Sequence, residues 1–169
     1  MTVPEALAAL VSETQEPITE ARYGKSRIQV PSIPRWKIGI MDEFGLTDSE
    51  KINYHVYGVL ECPSREDGFC FSKKKSDAGP FQINFVHGAD FRKSADLVSA
   101  GLKAVAAGDW EKAVSLRDEL YRFQLGWTIN HAKYHKESGP MKCGRKPTET
   151  EAFRCLLIAH NGNNAPGKD

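Results

Sequence analysis

The sequence predicts an α+β fold: a small, mainly antiparallel sheet with an N-terminal helix and a C-terminal helical pair, plus a flexible tail. Three observations predict it. Up to Phe85, apolar residues alternate with polar ones in short runs, the period of a half-buried strand. From Gly88 the period lengthens to that of an amphipathic helix. After Ile129 the pattern stops and a polar, basic segment follows.

The elements follow in chain order. Thr2 and Glu5 have capping-box spacing, Pro4 suits a first helical turn, and Leu7, Leu10 and Val11 form one apolar stripe. Pro17 stops this helix, and Pro31 and Pro34 isolate short extended pieces around Ile28 and Val30. Trp36, Ile38 and Ile40 alternate with Arg35, Lys37 and Gly39, which reads as a strand. Ile52, Tyr54, Val56, Val59 and Leu60 also read as a strand on their aromatic and β-branched content. A capping box at Thr47 and Glu50 makes a helix the competing reading there. Asp67-Gly68 is a hairpin signal with Phe69 and Phe71 on the return strand, and Phe81, Ile83 and Phe85 mark one more.

Asp90 opens a helix whose stripe is Phe91, Ala95, Val98, Leu102 and Val105, and Gly108 ends it. Asp109 opens a second helix with Trp110, Ala113, Val114, Leu116, Leu120 and Phe123, which Gly126 is placed to end. The words Ala-Gly-Asp-Trp-Glu-Lys-Ala at 107–113 resemble a helical-repeat turn, but one copy makes no solenoid. The chain thus divides into a core domain, 1–129, and a polar basic tail, 130–169. Within the tail, Thr148 and Glu151 cap a short helix over 148–159, and Asn161 to Asp169 has a disordered composition.

Charge follows the same division. The chain has 23 Lys+Arg and 22 Asp+Glu, but residues 130–169 carry seven basic and four acidic residues, leaving a body of 16 and 18. No stretch approaches the ~20 apolar residues of a membrane span. The first residues lack a basic region followed by an apolar run, so no signal peptide is expected. Without one, Cys62, Cys70, Cys143 and Cys155 are expected as reduced thiols.

Three basic clusters are candidate RNA contacts: Arg22, Lys25, Arg27, Arg35 and Lys37; Lys73, Lys74 and Lys75; and Lys133, Lys136, Lys142, Arg145 and Lys146. Several cations on one face neutralise phosphates, and neighbouring aromatics stack on unpaired bases. Trp110, Tyr121, Phe123 and Trp127 cover more than one face of their helix, which predicts a partner surface or a homodimer. His131, His135, Cys143, Cys155 and His160 have metal-ligand chemistry but no regular zinc spacing, so neither a metal site nor a cofactor is assigned. No nucleophile elbow or phosphate loop is present. An enzyme would have to assemble its site from loops, for instance Cys70 with His87, or the Asp42-Glu43 pair, in a pocket reaching His55 or His87.

With its α/β body and a tail of the His131-Ala132-Lys133-Tyr134-His135-Lys136 type, the chain resembles the minor procapsid packaging and assembly factor of the double-stranded RNA bacteriophages (cystoviruses). The resemblance is one of length and organisation. It implies a non-enzymatic assembly cofactor, dimeric, in the virion interior and the host cytoplasm. Such a factor touches the capsid shell protein, the RNA polymerase and RNA. The size and fold class are also similar to matrix-like proteins of plant rhabdoviruses. A small hydrolase or transferase with a loop-built Cys/His/acid site is the alternative from another class.

Overall fold

The computed structural model describes residues 33–138 and two short strands, β1 (Ala21–Tyr23) and β2 (Ser26–Ile28). The N-terminal helix expected from Thr2, the short helix at 148–159 and most of the basic tail lie outside the described residues. The fold is α+β. Strands β1 and β2 pair antiparallel with Arg22 opposite Arg27. Four helices follow: α1 (Arg35–Glu43), α2 (Asp48–Glu61), α3 (Ala89–Ala106) and α4 (Trp110–Ser138). Between α2 and α3 lies a two-stranded antiparallel ribbon, β3 (Asp77–Ala78) with β4 (Ile83–Asn84).

Helix α1 occupies the segment expected as a strand. The carbonyl of Pro34 accepts from the N–H groups of Lys37 and Ile38, which starts a helical turn. Ile33, Lys37, Ile40 and Met41 are all buried, spaced i, i+4, i+7 and i+8. A lysine at one of those positions hides the helical stripe, while the alternation of Trp36, Ile38 and Ile40 imitates a strand. At the C-terminal end Gly45, at φ +68°, donates to the Asp42 carbonyl and turns the chain into α2.

Helix α2 also replaces an expected strand, and here the competing reading prevails. Thr47 Oγ1 accepts from the Glu50 N–H at 3.2 Å, and Glu50 Oε1 accepts from the Thr47 N–H at 3.0 Å. That box satisfies two donors the helix start would leave open. The buried face is Lys51, Tyr54, His55 and Gly58, again with a polar residue at helical spacing. Lys51 remains ion-paired with Asp42.

The Asp67-Gly68 hairpin does not form. The buried Asp67 carboxylate takes a bidentate contact from Arg65 (2.9 and 2.7 Å) and accepts the Phe69 N–H at 3.0 Å, organising a turn instead. Cys62 and Cys70 close this turn as a disulfide, with Cα atoms 6.1 Å apart, correcting the expectation of reduced thiols at these two positions. Phe69 leads not into a strand but onto α3, where it lies so close to Gly101 that an added Cβ would stand 2.3 Å from its ring.

Helices α3 and α4 pack along each other as the expected helical pair. Asp109 Oδ1 accepts from the Lys112 N–H at 3.2 Å, capping α4. The buried line of α3 is Ser94, Leu97, Val98, Gly101 and Ala104, beside the stripe predicted from bulk alone. Helix α4 does not stop at Gly126: it runs through residue 130 to Ser138. Its buried line includes Ala113, Arg117, Tyr121, Gln124, Thr128 and Ala132, so polar residues stand on the core side of the helix both before and after Gly126. One core cluster joins Ile33, Ile40, Tyr54, Phe81, Tyr121 and Leu125, and a second joins Phe69, Leu97, Val98 and Leu120.

Candidate nucleic-acid interface

Three exposed lysines and the two most exposed large apolar side chains among the described residues flank the β3–β4 ribbon. Ser72 builds the turn that precedes β3. Its Oγ accepts from the N–H groups of Ser76 and Asp77, both at 3.0 Å, and its carbonyl accepts from Lys75 N–H at 2.8 Å. Lys75 takes φ +56°, a left-handed conformation held by these bonds. The closed loop leaves Lys73, Lys74 and Lys75 exposed. The nearest carboxylate in sequence, Asp77, accepts from Asn84 Nδ2 at 2.8 Å and from Ser76 Oγ at 3.1 Å. Among the described residues the three lysines form no ion pair.

The other strand brings an aromatic to the same place. Phe85 N–H donates to the Ser76 carbonyl at 2.8 Å, fixing Phe85 beside the residue that follows Lys75. Phe81 and Ile83 are buried, as their alternation predicts. Phe85 is not: the strand ends at Asn84, whose Oδ1 accepts from Val86 N–H and starts a 3-10 turn. Phe85 is therefore 58% exposed and Val86 70% exposed. Sequence reading placed Phe85 on a strand with Phe81 and Ile83. The signal that it leaves the sheet is Asn84, whose side chain competes with the strand for backbone donors.

Gln124 holds the ribbon from beneath. Its Oε1 accepts from Phe81 N–H at 2.8 Å and its Nε2 donates to the Ala78 carbonyl at 2.7 Å. The 3-10 turn leads into a ring cluster in which Trp127 packs edge-on between His87 (4.8 Å between centroids) and His131 (4.7 Å). Trp127 Nε1–H donates to Asp90 at 3.0 Å.

The other candidate residues separate. Arg35 is exposed on α1. Lys37 is not available as a surface cation: it is 7% exposed, with Nζ 5.5 Å from the Trp36 ring centroid and 5.4 Å from that of Tyr121. Burial, opposed by the Glu66 charge and assisted by that of Arg117, brings its ammonium down to about 8. Arg22 and Arg27 are register partners, while Lys25, Lys142, Arg145 and Lys146 lie outside the described residues. Lys133 and Lys136 fall within α4. Of the four partner-surface aromatics, Tyr121 is a core residue and leaves that surface. Trp110 packs against Ala104 and Ala113, and Phe123 lies under Lys93 Nζ at 4.4 Å.

Chemistry needing a free Cys70 thiol is removed by the disulfide. Of the five residues with metal-ligand chemistry, His131 belongs to the Trp127 cluster, His135 falls within α4, and Cys143, Cys155 and His160 lie outside the described residues. No group of three metal-ligating side chains occurs among the described residues. No helix among them is long and apolar enough to cross a membrane. No family model, curated protein or solved structure matches the chain.

Proposed function

We propose that the protein is a non-enzymatic RNA-binding adaptor that grips single-stranded RNA through the β3–β4 ribbon. The observation that carries this reading is the pairing of three exposed lysines on a hydrogen-bonded turn with the exposed Phe85 next to it. Lysines neutralise phosphates, and an exposed ring offers a stacking platform that any base accepts. In this reading the protein serves procapsid assembly and RNA packaging within the virion and the host cytoplasm. It acts as a homodimer beside the shell protein and the polymerase, the setting implied by the resemblance to cystovirus assembly factors.

The test is fluorescence anisotropy of a labelled 12-nucleotide single-stranded RNA against the full chain at several salt concentrations. With three phosphate contacts, log K falls against log salt with a slope of about −2. Replacing Lys73, Lys74 and Lys75 together by alanine flattens that slope toward zero. Unchanged affinity and slope in the triple variant overturn the reading.

A further inference from the structure

A second site lies away from the ribbon. The start of α1, the end of α2 and the Cys62–Cys70 turn enclose a cavity of about 470 Å³, within the size range of small-molecule sites. Its apolar wall includes Pro34, Val59 and Leu60, and Lys37, His55 and Arg65 are its basic groups. We propose that this cavity binds a small apolar carboxylate, whose charge pairs with Lys37 while its body lies against Pro34, Val59 and Leu60.

Three features favour an anion there. Lys37 is a buried cation that forms no ion pair among the described residues. The other cations close by are already committed: Arg65 to Asp67 in a bidentate contact, and the 1%-exposed Arg117 to Asp118 at 2.8 Å. Arg117 also retains a buried Nη1 that meets no acceptor, so a donor of this buried guanidinium is left unused in the same part of the interior. Finally, α1 begins at the cavity, with Pro34 as its N-cap, and the positive end of a helix favours an anion. Glu66 on the exposed rim is the one carboxylate in the wall among the described residues, and its charge favours the protonated form of Lys37.

A monocarboxylate fits better than phosphate, which would need more donors than the single uncommitted ammonium supplies. The ring of Tyr121 and that of Trp36 flank Nζ and hold it as a fixed counter-charge.

The experiment is isothermal titration of the full chain with 1-naphthoate, with the neutral 1-naphthalenemethanol, and with inorganic phosphate. The expected result is that naphthoate binds about tenfold more tightly than the alcohol, as one charge-assisted contact supplies. Lys37→Met abolishes that preference while keeping alcohol binding. Val59→Trp, which fills the cavity, weakens both organic probes and serves should the Lys37 variant fail to fold. Equal binding of acid and alcohol, naphthoate affinity unchanged by both variants, no binding of either organic probe, or phosphate binding more tightly than naphthoate overturns the proposal.

Discussion

Gln124 and Phe81, 43 residues apart, are joined by a buried 2.8 Å hydrogen bond from the Phe81 N–H to Gln124 Oε1. The same side chain returns a 2.7 Å bond to the Ala78 carbonyl, so one amide satisfies both sides of the bend between β3 and β4. Gly79 makes the approach feasible: it sits at φ +88°, and an added Cβ would stand 2.1 Å from Gln124 Nε2. Gln124→Leu therefore leaves a buried donor and a buried acceptor unmatched, at roughly 1–3 kcal/mol each. Urea unfolding should show the variant destabilised by about 2–6 kcal/mol, and Gly79→Ala destabilised as well through its left-handed φ and this contact. Stability within 0.5 kcal/mol of wild type, a threshold about the scatter of surface substitutions, would refute the clamp.

Lys37 gives an opposite sign. Its ammonium titrates near 8 in the folded chain, against 10.5 for the ordinary lysine, because burial disfavours the charge. Below pH 8 both folded and unfolded chains hold the proton, and the full penalty of burying it is present. Between 8 and 10.5 the unfolded chain binds more protons, so this residue makes stability rise with pH. The groups around it are Glu66, which opposes the shift, and Arg117, which adds to it. Lys37→Met should be more stable than wild type at pH 7 by up to about 3 kcal/mol, with the gap closing by pH 10.5. Taking the difference between variant and wild type separates Lys37 from Tyr54 and Tyr121, whose hydroxyls burial pushes upward. A gap that stays constant with pH removes Lys37 as its cause.

Those two polar side chains also explain which parts of the fold were legible. The helical pair was readable because Val98, Ala113 and Leu120 mark the core face of each helix in apolar letters. Helix α1 was not, because its core face contains Lys37, and the full length of α4 was not, because its face continues through Gln124 and Thr128. A reading based on apolar period treats each such residue as solvent-facing and rotates or shortens the helix. At α2 a local signal, the Thr47–Glu50 box, contained the answer but was outweighed by β-branched content, which is a statement about packing surfaces more than about backbone. For the candidate interface, the Lys73–Lys75 run was visible in sequence. Its partnership with Phe85 was not, because it depends on where β4 ends.

The Cys62–Cys70 disulfide closes a short loop that also contains the Arg65–Asp67 contact. Loop-closure entropy for a cross-link of this separation is about 2–3 kcal/mol. Peptide mapping of protein isolated without reductant should recover the two cysteines in one linked peptide. Cys70→Ser should then lower the urea midpoint, with a stability loss of about 2–3 kcal/mol. An equal midpoint with and without dithiothreitol would show that the pair contributes nothing.

Phe81 and Phe85 make a matched pair for separating structure from binding, since they lie four residues apart on one ribbon with opposite environments. Phe81 is fully buried, stacked on Tyr57 at 5.8 Å and tilted against Tyr121 at 5.6 Å. Phe81→Ala removes that packing and should destabilise the fold by about 3–5 kcal/mol. Phe85 is 58% exposed, so Phe85→Ala should leave unfolding within about 0.5 kcal/mol of wild type. A base stacked on that ring is worth roughly 1–3 kcal/mol, so the same substitution should weaken binding of the 12-nucleotide RNA by about 5- to 150-fold. The salt slope should remain, because the lysines that set it are untouched. Loss of slope together with affinity would mean that the Phe85 ring positions the lysine turn and does not itself meet the base.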